Sequence, residues 1–119
     1  MNISICGAGT MGRGIAIACL QAGHSVVLFD LNEEATKKAH EYISSQLLKA
    51  VEKNKMTKED ADSCMNRLLA TTSISDAAGG EFIIEAIIEK PEIKNQLFTS
   101  LENAGLAENA ILATNTSSL

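Results

Sequence analysis

Short apolar runs alternate along the chain with longer segments in which apolar residues recur every three or four positions. The apolar runs predict strands near residues 2–6, in HSVVLFD, at Phe82–Glu85 and in AILAT, with a weaker strand in ATTSI. Such continuous runs are typical of strands that are buried on both faces of a parallel sheet.

The periodic segments predict helices. These run from Thr10 to before Gly23, from an Asn32 cap to about residue 53, from Lys58 to about Leu69, and from Pro91 to before Gly105. SDAAGG is predicted to be a connection. Strands and helices alternate without a linker or repeat, which predicts one α/β domain over residues 1–119 with a doubly wound parallel sheet.

Composition narrows the class of protein. A formal net charge of −5 and the lack of a basic stripe argue against nucleic acid as a partner. No apolar run is long enough to span a bilayer, and MNISIC enters a strand without a signal peptide, so we expect a cytoplasmic protein with no membrane partner. Cys6, Cys19 and Cys64 show no CxxC spacing, which predicts small buried side chains and no metal site.

ICGAGTMGRG places Gly7, Gly9 and Gly12 in the spacing GxGxxG, between a predicted strand and a predicted helix. Gly7 would make the tight turn, Gly9 would let a pyrophosphate approach the backbone, and Gly12 would let the helix pack on the strand. The helix N-terminus would supply N–H donors and partial positive charge. A Walker A loop is absent from the sequence, so the motif predicts dinucleotide binding in a Rossmann-type fold.

Asp30 ends the next strand, at the position where a carboxylate can accept hydrogen bonds from a ribose diol. The following residues, LNEE, include no Arg to hold a 2′-phosphate. This pattern favours NAD over NADP. FAD uses the same fingerprint, although usually with Glu at that position and in a longer chain.

Four segments together carry a resemblance to a known family. GAGTMGRGIA, DLNEEA, IIEAIIEKPEIKNQLF and ILATNTSSL, in this order, resemble the NAD-binding domain of the L-3-hydroxyacyl-CoA dehydrogenases, a group that includes bacterial 3-hydroxybutyryl-CoA dehydrogenases. The resemblance covers essentially the whole chain. It implies an oxidoreductase of fatty acid or butanoate metabolism that interconverts L-3-hydroxyacyl-CoA and 3-ketoacyl-CoA, with NAD as cofactor.

The resemblance also implies roles for particular residues. The pyrophosphate would be held by Gly7, Ala8, Gly9, Thr10, Met11 and Gly12, and the adenosine ribose by Asp30. Glu89 and Lys94 would contact the nicotinamide side of the cofactor, and Asn115 would lie beside the nicotinamide. Ser117 would donate a hydrogen bond to the reacting oxygen of the substrate. On the long helix, Gln46, where some members have Ser, and Lys53 would contact the CoA moiety.

The positions of these residues have a physical basis in the predicted sheet. Gly7, Asp30, Glu85 to Glu89 and Asn115 to Ser117 all follow strand ends. In open parallel sheets ligands bind beyond the carboxyl ends of the strands, so the sequence predicts that these residues share one edge.

Oxidation of an alcohol also needs a base, which the family supplies as a His supported by a Glu. Neither His24 nor His40 matches that position. The resemblance therefore implies a chain truncated before the domain that carries the base and forms a homodimer. Two alternatives stay open: a stand-alone NAD-sensing module, and a related dehydrogenase of a non-CoA hydroxy acid.

Overall fold

The computed structural model describes residues 1–86, 91–105 and 111–114, and of residues 91–95, 98 and 111–114 it describes the backbone alone. Five strands and five helices occur within these ranges. In chain order they are β1 (Asn2–Cys6), α1 (Thr10–Gln21), β2 (Ser25–Phe29), α2 (Glu33–Glu52), α3 (Lys58–Asn66), β3 (Leu68–Thr71), α4 (Ile74–Ala78), β4 (Phe82–Glu85), α5 (Pro91–Asn103) and β5 (Ile111–Thr114).

The five strands form one parallel sheet in the order β3-β2-β1-β4-β5. This is the doubly wound α/β topology that the sequence predicts. The last residues of the five strands are register partners and lie in one row across the sheet: Thr71, Phe29, Cys6, Glu85 and Thr114. The loops that follow these residues therefore all begin at the same carboxyl edge.

A hydrophobic core lies on each face of the sheet. Ile3, Ile5, Val26 and Leu28 point to one face and pack with buried residues of α1, α2 and α3. Cys6, Phe29 and Ile83 point to the other face and pack with residues of α4 and α5, namely Ala77, Ala78, Leu97 and Leu101. Alternate residues of a strand point to opposite faces, so short apolar strands can serve both cores.

The helix ends follow local chemistry. The Asn32 side chain caps α2 by accepting hydrogen bonds from the backbone N–H groups of Glu34 (2.9 Å) and Ala35 (3.3 Å). The Thr57 hydroxyl caps α3 by accepting from the Asp60 N–H at 3.1 Å. Asn54, with φ 58°, ends α2 in the left-handed conformation that Asn adopts more readily than most residues. The predicted Asn32 cap is confirmed.

The sequence prediction is wrong between residues 66 and 78. The predicted helix to Leu69 ends at Asn66, the strand is Leu68–Thr71 rather than ATTSI, and SDAAGG includes part of a short helix, α4. Leu68 and Leu69 fit both helical and strand patterns. The strand forms because β3 pairs with β2, a contact between distant segments that local periodicity does not contain.

The described residues also bear on the predictions about composition. Within ranges 1–86, 91–105 and 111–114, no helix is long and apolar enough to cross a membrane. The same residues include no cluster of side chains suited to holding a metal ion. All three cysteines are free; Cys6 and Cys64 are buried as predicted, whereas Cys19 is only half-buried.

Candidate functional site: the carboxyl edge of the sheet

The turn between β1 and α1 is built around two glycines. Gly7 adopts φ 119°, a conformation that L side chains rarely adopt, and its N–H donates to the Phe29 carbonyl at 2.7 Å. A Cβ atom on Gly12 would collide with the Gly7 carbonyl oxygen, so only glycine lets α1 start this close to the strand. These two positions have the backbone reasons that the GxGxxG spacing predicts.

Gly9 precedes α1 and caps it without a side-chain hydrogen bond. A Cβ atom added there would meet nothing within 4 Å, so open space adjoins the first turn of the helix. The N-terminal N–H groups of a helix have no intrahelical partners and carry partial positive charge. The N-cap of α1 thus has no side chain, which suits the approach of an anion to the helix N-terminus.

Asp30 connects the phosphate turn with the end of β2. Its Oδ2 atom accepts a hydrogen bond from the Ala8 N–H at 3.0 Å, and its Oδ1 atom accepts from the Asn32 N–H at 2.9 Å. The Asp30 N–H in turn donates to the Thr71 carbonyl at 3.1 Å. Each carboxylate oxygen has two acceptor positions, so Asp30 can hold the turn in place and still accept hydrogen bonds from a ligand.

A cavity of about 300 Å³ adjoins Asp30. It is lined by Gly7, Phe29, Asp30, Leu31, Ile74, Gln96, Leu97 and Ser100. Leu31 lines this cavity and is 83% exposed, so one wall of the cavity is an apolar side chain open to solvent. A flat apolar ring placed here would cover Leu31 and leave the Asp30 carboxylate within reach of an attached sugar.

Comparison with known proteins identifies the family of the chain. Residues 2–119 match the family described as 3-hydroxyacyl-CoA dehydrogenase, NAD binding domain. The chain belongs to this family. It is therefore an NAD-binding domain, and the glycine turn, Asp30 and the cavity beside Leu31 fit a dinucleotide.

Two curated relatives show the same similarity. A probable 3-hydroxybutyryl-CoA dehydrogenase of Bacillus subtilis is 36% identical over 118 residues, which are 99% of this chain and 41% of that protein. The 3-hydroxyadipyl-CoA dehydrogenase of Escherichia coli K12 is also 36% identical over 118 residues, 99% of this chain and 25% of that protein. The NAD-binding domain thus spans less than half the length of either relative.

A solved structure agrees. The crystal structure of (S)-3-hydroxybutyryl-CoA dehydrogenase from Ralstonia eutropha matches with a TM-score of 0.90 and 36% sequence identity, covering 99% of this chain and 41% of that one. The five-stranded sheet and its helices are therefore the fold of an NAD-binding domain from this family.

Several predicted site residues lie outside the described part of the NAD-binding domain. Glu89, Asn115 and Ser117 are among them. Lys94 lies in the first turns of α5, where only the backbone is described. Thr114 is in register with Glu85, so Asn115 follows a strand that ends level with the phosphate turn.

The two predicted CoA contacts lie on α2. Gln46 is half-buried, and Lys53 is an exposed residue at the C-cap of the helix. Neither is among the residues that line the cavity beside Asp30. One turn before Gln46, the Tyr42 ring packs against the Arg13 guanidinium at 4.2 Å, which links α2 to the first turn of α1.

Neither histidine lines the cavity beside Asp30. His24 directly precedes β2, so it lies at the amino edge, where its carbonyl accepts a hydrogen bond from Arg67 at 2.9 Å. His40 is exposed on α2. That neither histidine is the catalytic base stays a prediction.

The structure adds residues that sequence reasoning missed. Ile74, Leu97 and Leu31 supply most of the apolar lining of the cavity, although they come from three separate segments. Leu31 could have been found as an apolar residue that directly follows the acidic end of β2. Ile74 and Leu97 could not, because their approach depends on how α4 and α5 pack on the sheet.

Proposed function

We propose that the protein acts in the reversible oxidation of an L-3-hydroxyacyl-CoA to the 3-ketoacyl-CoA, as part of fatty acid or butanoate metabolism in the cytoplasm. NAD accepts the hydride from the substrate carbon when it is bound. Residues 1–119 form a single domain whose task is to hold that cofactor and to present one face of it to the acyl-CoA.

One relationship carries the cofactor half of this proposal: the Asp30 carboxylate bonds to the Ala8 N–H of the glycine turn. A pyrophosphate on the turn and a ribose on Asp30 would therefore lie side by side, as they do in a dinucleotide. Residues 7–12 bind the pyrophosphate in this proposal, and Asp30 binds the adenosine ribose. The cavity lined by Leu31 takes the adenine.

The nicotinamide half uses residues that follow β4 and β5. Glu89 and Lys94 contact the nicotinamide side of the cofactor, and Asn115 lies beside the nicotinamide ring. Ser117 donates a hydrogen bond to the reacting oxygen, which stabilises negative charge there. The register of β1, β4 and β5 supports this assignment, because all three strands end at one level.

The substrate needs two further elements. A base must take the hydroxyl proton, and we place it in a part of the enzyme that residues 1–119 do not include. Gln46 and Lys53 contact the CoA moiety from α2. The complete enzyme is a homodimer in this proposal.

The test compares the 119-residue chain with the complete protein. Both are assayed with acetoacetyl-CoA and NADH by the loss of NADH absorbance. We expect turnover by the complete protein alone, since loss of a positioned base costs about 10²–10⁴-fold. Turnover by the 119-residue chain would contradict the placement of the base.

Two other results would contradict the proposed substrate. A complete protein that binds NADH but turns over no hydroxy acid would be a sensing module. Activity confined to hydroxy acids without CoA would make the protein a dehydrogenase of another substrate class.

A further inference from the structure

The loop between β3 and α4 adjoins Asp30. It begins at Thr71, whose carbonyl accepts the hydrogen bond from the Asp30 N–H at 3.1 Å. The Thr71 hydroxyl accepts from the Ser73 N–H at 3.0 Å and donates to the Asp76 carboxylate at 2.8 Å. A continuous chain of hydrogen bonds thus runs from α4 through Thr71 and Asp30 to the phosphate turn.

This network fixes a helix that has little stability of its own. The five residues of α4 are too few for an independent helix. Its C-terminal part is held by the buried Ser4 hydroxyl, which donates to the Ala77 carbonyl at 2.6 Å. Its N-terminal part depends on Thr71, because Ser73 occupies the N-cap without making a side-chain cap bond.

We propose that Thr71 is a positioning residue for cofactor selection: its hydroxyl holds the loop that sets the backbone of Asp30 and the place of Ile74. The proposal rests on the ribose role given to Asp30 above. Ile74 lines the same cavity as Asp30, so one loop sets both the polar and an apolar contact of the adenosine site.

The geometry explains why a small shift of the Asp30 carboxylate would alter the choice between NADH and NADPH. A ribose diol requires the carboxylate oxygens in a defined direction, and hydrogen bonds weaken steeply when their angle departs from linear. The same carboxylate repels a 2′-phosphate, and repulsion between charges varies less sharply with angle. Loosening the loop therefore weakens NADH binding more than it alters NADPH binding.

The experiment measures the affinities of NADH and NADPH by titration calorimetry on the complete protein. Thr71→Val removes the hydroxyl and keeps the branched shape. We expect the Kd for NADH to rise about three- to tenfold, the value of one hydrogen bond. The Kd for NADPH should change by less than about twofold. Thr71→Ser keeps the hydroxyl and should restore the affinity for NADH.

Thr57→Val is the matched control. Thr57 also uses its hydroxyl to accept a backbone N–H at a helix start, but at α3, outside the cofactor cavity. We expect it to lower the melting temperature as Thr71→Val does, without changing the ratio of the two affinities. Asp76→Asn keeps an oxygen that can accept from Thr71 and should also leave the ratio unchanged.

The outcomes separate this inference from the proposed function. If the unaltered protein binds NADH and NADPH equally, the ribose role of Asp30 fails and this inference fails with it. If the unaltered protein prefers NADH and Thr71→Val keeps the full preference, the inference alone is overturned. An Asp76→Asn variant with the same loss as Thr71→Val would also overturn it, because charge rather than position would then decide.

Discussion

Cys6 and Glu85 are register partners at the ends of the neighbouring strands β1 and β4, and both are almost completely buried. Burial disfavours the charged thiolate, and the Glu85 carboxylate disfavours it further. Together they raise the pKa of the Cys6 thiol from its ordinary value of 9.0 to about 12. A thiol next to the phosphate turn is thus kept neutral and unreactive.

The pH dependence of stability should reveal this thiol. Between pH 9 and about 12 the folded protein keeps the Cys6 proton, whereas the unfolded chain has lost it. The free energy of unfolding therefore falls as the pH rises through this range, by at most about 1.4 kcal/mol per pH unit, and the effect is absent below it. In the Cys6→Ala variant, the free energy of unfolding measured by urea denaturation should fall less steeply with rising pH. Parallel curves for the two proteins would contradict the assigned burial of the thiol.

Replacement of Asp30 should change the choice of cofactor. We expect NADH to bind the unaltered protein at least about tenfold more tightly than NADPH, a difference of about 1.4 kcal/mol. Asp30→Asn keeps an oxygen for the Ala8 N–H but removes the charge that repels a 2′-phosphate, so most of the preference should disappear. Calorimetric titration measures it, with Asp62→Asn, an exposed carboxylate on α3, as the control. A full preference in Asp30→Asn would rule out the ribose role.

Two glycines of α1 offer a matched pair. Gly12→Ala places a methyl group against the Gly7 carbonyl and should lower the free energy of unfolding by about 1–3 kcal/mol and impair NADH binding. A methyl group at Gly14 would meet no atom within 4 Å. Gly14→Ala should therefore raise the free energy of unfolding by about 0.5–1 kcal/mol, because alanine is the better helix former. Thermal denaturation compares them. Equal effects would mean that the close approach at Gly12 is not required.

Ser117 should affect turnover rather than cofactor binding. In the complete enzyme, Ser117→Ala should lower kcat by roughly 10²-fold or more, the loss typical of one transition-state donor. The Kd for NADH should stay the same. Ser118→Ala, one residue further, serves as the control. Unchanged kcat with a lower melting temperature would assign Ser117 a purely structural role.

Lys53 and Lys55 test the CoA contact. Both are exposed lysines near the end of α2, and of the two only Lys53 contacts CoA in the proposed function. Lys53→Met should raise the KM for acetoacetyl-CoA about tenfold or more, as expected for loss of a charge-assisted hydrogen bond to phosphate. The Kd for NADH should not change. If Lys55→Met raises KM by as much, the effect is one of general charge and not of a contact.

The parts predicted well from sequence depend on local chemistry. Gly7 and Gly12 have backbone requirements that only glycine meets, and the Asn32 cap is a bond between neighbours in the chain. The region of Leu68 and Leu69 was predicted wrongly because its structure depends on pairing with β2.

In the candidate site, too, the features set by neighbouring residues could be predicted from sequence, whereas those set by distant segments could not. Asp30 could be assigned because it follows an apolar strand at a fixed distance from the glycine turn. Its partner Thr71 and the cavity residue Leu97 are 41 and 67 positions further along the chain, and only the order of the strands brings them to Asp30. No spacing rule connects segments so far apart.

The central place of β1 in the sheet has a consequence for synthesis on the ribosome. β1 emerges before the other four strands of this sheet, yet one of its two neighbours is β4, which begins at Phe82. Until that residue has left the exit tunnel, one edge of β1 has no strand to pair with, and the Cys6 face lacks the cover of α5. At a synthesis rate of about 5–20 residues per second, several seconds pass between the emergence of β1 and that of β4. Chaperones that bind exposed apolar strands would act on this protein during that interval.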